Sequence, residues 1–251
     1  MARIGVQLYT VMDELKKDYL GTVKRVTELG YEGVEFPSGL IDTVKKEDLR
    51  AVLNECGAGT IGAVFSLDEI ESRAEKIFDY LRYISAGYVI YFGFMEPQTS
   101  EEAVMQDAVR LNKIGEMVNQ AGFKFLYHVH GHEFNQIEGK YAFDILFAHL
   151  DTKKVQLEID VYWVEWADVD SLGFMQKYGA FSPCVHLKDM ADKVTKADIE
   201  VGGGALDMAG IIDTGKKYGA DWFIVEQEAF AIPTMRSIAV SLKNINKLIA
   251  E

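Results

Sequence analysis

Phe123-Lys124-Phe125-Leu126-Tyr127-His128-Val129-His130-Gly131-His132-Glu133 decides how this chain is read. The first half is an apolar run that reads as a buried strand. The second half holds three of the chain's five histidines. Side chains of a strand alternate between two faces, so Phe123, Phe125 and Tyr127 take one and His128 and His130 the other. Histidine is the commonest metal-ligating side chain, and a nearby carboxylate suits a divalent ion.

The same parity recurs along the chain. Val155, Leu157 and Ile159 alternate with Gln156, Glu158 and Asp160. Val185 and Leu187 alternate with His186 and Lys188, and Val34 and Phe36 flank Glu35. Phe223 and Val225 lead to Glu226 and Glu228, and Ile4, Val6 and Leu8 alternate with Gln7 and Tyr9. Polar groups from separate strands thus point at one cavity mouth. Burying so many ionisable groups unpaired is costly, so a bound cation or a polar substrate is expected there.

Between these runs lie amphipathic stretches with helical spacing. Strands are expected at Arg3–Tyr9, Gly33–Phe36, Thr60–Phe65, Tyr88–Phe92, Phe123–His128, Lys154–Asp160, Pro183–Leu187 and Trp222–Glu226. Helices are expected at Asp13–Gly30, Val44–Gly57, Ser66–Ala86, Ser100–Gly122, Tyr141–Leu150, Val169–Tyr178, Leu206–Gly219 and Thr234–Ala250. Ser66-Leu67-Asp68-Glu69 has the capping-box pattern, and Gly30 suits a helix C-terminus. Eight strand–helix units predict an α/β fold, a single (β/α)8 TIM barrel over residues 1–251. An open doubly wound sheet is the alternative. It would often show a Gly-rich first turn, and none follows Tyr9.

A net charge of −13 opposes a broad nucleic-acid surface, which needs Lys and Arg to displace counterions. Two cysteines far apart, Cys56 and Cys184, make no disulfide framework or zinc-finger spacing and suit a reducing cytoplasm. The N-terminus enters a strand-like run at once, which leaves no room for a signal peptide, and no apolar stretch approaches a membrane span. With four prolines and no Pro/Ser-rich segment, no linker stands out.

Taken in order, several segments resemble the xylose-isomerase-like sugar phosphate isomerase/epimerase superfamily, which also holds inosose dehydratases, hydroxypyruvate isomerases and endonuclease IV. They are Gly5–Tyr9, Gly33–Phe36, Tyr127–Phe134, Leu157–Trp163, Val185–Asp189, Val201–Asp207 and Val225–Glu228. The resemblance implies one divalent ion (Mn2+, Zn2+, Co2+ or Fe2+) held by acidic and imidazole groups after the last four strands. The implied ligands are Asp160, His186 and Glu226, with His128 as the fourth. His128 is a departure, because many members carry Glu there. A histidine can ligate but cannot be that carboxylate base, which weakens a two-glutamate epimerisation relay. Glu133 or Glu158 would have to supply the missing acid.

The implied activity is a metal-dependent isomerase or epimerase of a small sugar, keto-sugar or sugar phosphate, working through a metal-stabilised enediolate. Glu226 would double as base, with Glu158, His130 and Lys188 as acid/base or oxyanion partners. Gln7, Tyr9, Glu35, Glu133 and Trp163 would contact substrate. A keto-sugar or inosose dehydratase using the same site is the alternative. An abasic-site endonuclease and a non-catalytic sugar-binding barrel rank lower. The expected partner is a small sugar, with no nucleic acid and no membrane, in the cytoplasm; a homodimer stays open.

Plainer readings sit beside these. Asp160 could cap a following turn. Lys188 could pair with Glu158 or Asp189. Trp163 and Trp166 could be packing residues instead of a sugar platform. The amides of Gly202-Gly203-Gly204 could cradle a phosphate or carboxylate, or form a flexible loop. Cys184 reads as core.

Overall fold

Period-two alternation gives eight short strands in the computed structural model, which describes residues 3–250. They are β1 (Arg3–Gln7), β2 (Gly33–Phe36), β3 (Gly59–Val64), β4 (Tyr88–Phe92), β5 (Lys124–Val129), β6 (Val155–Asp160), β7 (Cys184–Leu187) and β8 (Trp222–Val225). All pair in parallel and close into a barrel, with β1 bonded to both β2 and β8. Val6 is the seam residue, opposite Val34 on one side and Val225 on the other. The architecture is a (β/α)8 barrel, and the open-sheet alternative does not apply.

Each strand leads to a helix: α1 (Tyr19–Glu28), α2 (Lys46–Cys56), α3 (Leu67–Tyr83), α4 (Glu101–Gln120), α5 (Ala142–His149), α6 (Ser171–Tyr178), α7 (Met208–Tyr218) and α8 (Thr234–Ala250). The outward apolar residues of the strands are buried against these helices. A separate inner cluster, including Ile61, Ile90, Leu126, Cys184 and Ile224, fills the barrel itself. The capping box forms: Ser66 Oγ accepts the Glu69 N–H, and the Glu69 carboxylate accepts the Ser66 N–H. No helix among the described residues is long and apolar enough to cross a membrane.

Most strand and helix ends shift by a residue or two, and three differences from the sequence reading are larger or shape the site. The helix expected over Asp13–Gly30 breaks at Asp18, whose backbone is extended and whose carboxylate caps α1 through the Gly21 N–H. Strand β1 stops at Gln7 instead of Tyr9. The Gln7 side-chain oxygen accepts the Tyr9 N–H at 3.0 Å and turns the chain into a 3-10 turn, Leu8–Val11. A short helix, Val161–Trp166, follows β6 directly, with Asp160 Oδ1 accepting the Tyr162 and Trp163 N–H groups.

The N-terminal end of the barrel is closed by one indole. Trp222 is 2% exposed, and the Arg3 guanidinium lies 3.7 Å from its ring centroid. The ring needs glycine beneath it. A Cβ on Gly33 would sit 2.5 Å from Trp222 Cη2, and one on Gly59 would sit 3.3 Å away. The barrel floor is therefore largely apolar, and the inward acids Glu35, Glu158 and Asp160 lie toward the opposite rim. Replacing Gly33 with Ala forces the indole to move, and should cost about 1–3 kcal/mol in urea unfolding. An unchanged midpoint would mean that the indole is not tightly seated.

Candidate metal centre at the barrel rim

Strand parity brings His128 (β5), Glu158 and Asp160 (β6), His186 (β7) and Glu226 (just past β8) to one place, all essentially buried. His186 is held at both ring nitrogens. Nδ1 lies 2.9 Å from Glu226 Oε2, and Nε2 lies 3.0 Å from Glu35 Oε1. Glu35 also accepts from Gln7 Nε2 at 2.5 Å. The His128 Nδ1 lies 2.8 Å from Glu158 Oε2, which fixes the ring and leaves Nε2 available as a ligand.

Charge at this rim is out of balance. Burial pushes the Asp160 carboxyl up to about 7, and burial with Glu35 beside it pushes Glu158 well up. Burial also holds His128 well below the usual imidazole range, as a neutral ring. Burial opposes a proton on His186, but the Glu158 and Glu35 carboxylates outweigh it and raise that imidazole. Desolvation acts against the Glu226 carboxylate, yet its His186 hydrogen bond brings it below normal.

These residues fit a divalent ion. One donor atom from each of His128, Asp160, His186 and Glu226 lies within 4.8 Å of every other. Asp160 Oδ1 is spent on the helix cap, whereas Oδ2 is buried with no hydrogen-bond partner, 3.9 Å from His186 Nδ1. Two imidazole nitrogens and two carboxylates form a donor set that suits Zn2+, Mn2+, Co2+ or Fe2+. Glu35 and Glu158 then act as the outer hydrogen-bond partners that orient the two rings.

A cavity of about 440 Å³ opens over this cluster. Its floor carries Gln7, Glu35, His128, His130, His186 and Glu226, and its walls carry Tyr9, Phe92, Phe94, Met95, Trp163 and Trp166. Gln7, Tyr9, Glu35 and Trp163 thus lie on the cavity, as expected. Tyr9 gets there from the 3-10 turn and not through strand parity. Phe94 and Met95 belong to the loop after β4, Gly93–Gln98, one of the loops expected to set substrate preference, whereas Phe92 carries no polar signal in the sequence and is an addition from the structure. Burial lowers His130 to about 4, and its Nδ1 has no partner.

Other expectations need correction. Glu133 does not line the cavity. Its carboxylate accepts the Phe94 N–H (2.9 Å), the Tyr127 O–H (2.9 Å) and the His130 N–H (3.1 Å), tying the loop after β4 to the loop after β5. Glu158 is also off the cavity wall, occupied by the two imidazoles. Lys188 pairs with neither Glu158 nor Asp189. Its Nζ lies 3.1 Å from Glu228 and 3.9 Å from Asp198, over the rings of Tyr162 and Trp163 at 4.4 and 4.5 Å. Burial disfavours its charge, but Glu226, Asp160, Glu228 and Asp198 together raise it, so Lys188 stays protonated. The glycine-rich loop does cradle a carboxylate, and it is the chain's own. Asp189 accepts N–H groups from Gly202 (3.0 Å), Gly204 (3.1 Å), Leu206 (3.3 Å) and Met190 (2.9 Å).

The sequence profile for the xylose isomerase-like TIM barrel matches residues 23–248, and the chain belongs to that family. No curated protein matches the sequence significantly. Among solved structures, a sugar phosphate isomerase/epimerase from Parabacteroides distasonis is similar at 18% identity and a TM-score of 0.84, covering 97% of this chain and 93% of its own. The IOLI protein with a bound zinc atom is similar at 15% identity and 0.79, covering 99% and 98%. The probable 3-DHS dehydratase AsbF of Bacillus anthracis matches at 12% identity and 0.79, covering 97% and 98%. At such identities the likeness is one of fold.

Two predictions test the supporting shell. Asp189→Ala leaves buried amides unpaired, and should cost about 1–3 kcal/mol and speed amide exchange at Gly202 and Gly204. Unchanged exchange would contradict the cradle. Burial pushes Glu133 up to about 7 from 4.5, so its contribution to stability is complete below about 4.5 and is lost as pH rises through about 7. Glu133→Gln removes that term. The stability of the wild type relative to this variant should fall across that window; parallel pH profiles would refute the assignment.

Proposed function

We propose that the protein is a divalent-metal-dependent isomerase or epimerase of a small sugar or keto-sugar. One observation carries the reading. His128, His186 and Glu226 lie at the floor of a cavity large enough for a small ligand, and they converge with a fourth donor, an unpaired carboxylate oxygen on the fully buried Asp160. His128, Asp160, His186 and Glu226 would hold the ion. When bound, it would supply electrophilic polarisation of a substrate carbonyl. The family and the zinc-containing fold relative support this assignment.

The chain's own groups then handle the proton. Glu226 lines the cavity as a carboxylate, placed to take a proton from the carbon beside the carbonyl. His130, a neutral ring on the same floor, is placed to exchange a proton with the neighbouring carbon or oxygen. Glu35 and Glu158 keep the two ligand rings oriented. The unpaired Trp163 Nε1–H is a free donor for a substrate oxygen.

A second reading has its own support. Glu226 is left without a second free carboxylate for a two-acid relay, since His128 takes the ligand slot, Glu158 is occupied by imidazoles, and Glu35 and Glu228 are engaged by His186 and Lys188. One carboxylate base facing one imidazole also suits loss of a β-hydroxyl, which is dehydratase chemistry.

Mass spectrometry of a ketose incubated with the Mn2+-loaded protein in D2O separates these outcomes. Isomerisation keeps the mass apart from deuterium uptake next to the carbonyl, whereas dehydration loses water. Glu226→Gln should slow deuterium uptake by about 10²–10⁴-fold. Full uptake by this variant would remove Glu226 from the chemistry. Glu35→Gln should weaken divalent-metal affinity by about 10–100-fold in calorimetry. Wild-type affinity in this variant would break the link through His186.

A further inference from the structure

The upper cavity selects a different class of molecule from its floor. Above the polar floor, the walls are Tyr9, Phe92, Phe94, Met95, Trp163 and Trp166. Trp166 is packed edge-on to Trp163, with ring centroids 5.6 Å apart, and rests on Gly131, where a Cβ would lie 2.8 Å from the indole. Tyr9, Met95 and Trp166 stay 51%, 64% and 40% exposed at the lip. A bare sugar carries hydroxyls all around. Those lying against this wall would lose water and gain few partners, at a cost. A flat apolar group would instead gain contact area there.

Charge points the same way. Among the described residues, the cavity lining holds no Lys or Arg, but it includes Glu35, Glu226 and Glu228. The nearest buried cation, Lys188, is engaged by Glu228 and Asp198. Lys196, beyond Trp166, is bound to Asp168 at 2.6 Å and to the Trp166 carbonyl at 2.7 Å. A divalent cation at the floor is already matched by Asp160 and Glu226. Barrels of this architecture often grip phosphate with backbone amides of the loops after the seventh and eighth strands. Here the amides of Gly202, Gly204 and Leu206 in the loop after β7 are filled by the Asp189 carboxylate. That carboxylate occupies the place an anion would need.

From this arrangement we infer that the substrate is an uncharged sugar bearing an apolar, flat substituent, and not a sugar phosphate. The inference rests on the sugar-enzyme reading above and narrows it. The sugar end meets the metal floor, while the substituent lies between Trp166, Tyr9 and the Phe92/Phe94 side. Trp166 is the specificity-determining residue of the upper cavity, and Glu228 is the group that keeps Lys188 from a phosphate.

Calorimetric titration of the Mn2+-loaded full chain tests both halves. The probes are D-fructose against D-fructose 6-phosphate, and methyl against phenyl β-D-glucopyranoside. The phenyl glycoside should bind about tenfold tighter than the methyl glycoside. Trp166→Ala, a half-exposed site, should abolish that difference by weakening the phenyl glycoside far more than the methyl glycoside. The phosphate ester should bind about tenfold more weakly than fructose, and Glu228→Gln should narrow that gap. Equal or tighter binding of the phosphate ester, no phenyl preference, or no binding of any probe would each overturn the inference. If the phenyl preference and phosphate rejection hold but no sugar is ever converted, the catalytic reading fails and this one stands.

Discussion

A single imidazole gripped at both nitrogens organises the rim of this barrel. His186 spans Glu226 on one side and Glu35 on the other, with Glu158 3.4 Å from the same Nε2. Four strands must be in register for those contacts to exist. They gather more buried acids than buried bases, a surplus that a low-dielectric interior relieves by holding protons on the acids or by taking up a further cation. The opposite end of the barrel makes this possible. Trp222 on its glycine bed fills that end with an apolar ring, and the acids that meet His186 come from the ends of the strands at the opposite rim.

The shell around the rim repeats one device at several points: a carboxylate satisfied by backbone amides or rings, which fixes a loop. Asp160 divides its two oxygens between capping a helix and facing the cluster. Glu133 locks two rim loops together, and a Cβ on Gly93 would strike its carboxylate. Asp189 fills the glycine-rich loop. Glu133 and Asp189 are buried with both oxygens partnered, whereas the buried side-chain polar atoms without a partner lie on Asp160, His130, Trp163, Glu35 and Glu158 around the cavity, with Tyr19 apart from them among the described residues.

The barrel and its inward acids were legible because period-two alternation depends only on local stereochemistry. The parity of Glu158, Asp160, His186 and His128 follows from it directly. Parity failed where a strand ended early. Tyr9 leaves β1 because the Gln7 side chain captures its N–H, a contact that no spacing rule encodes. Glu133 lies after Gly131, in a 3-10 turn that redirects its carboxylate toward Phe94 and Tyr127. Lys188 has the expected inward parity, but its partners, Glu228 and Asp198, come from distant segments. Tyr9, Trp163 and Trp166 of the aromatic wall were named from the sequence, whereas Phe92 and Phe94 stayed unassigned because they look like any core residues there.

The central claim is that His128, Asp160, His186 and Glu226 hold one divalent ion. Anomalous diffraction from a crystal of the full-length protein soaked in Mn2+ tests it most directly. The account predicts one strong peak with all four residues about 2.0–2.2 Å away, the distance range of nitrogen and carboxylate ligands in such sites. A well-ordered crystal with no peak there, or with its only peak held by other residues, would contradict it.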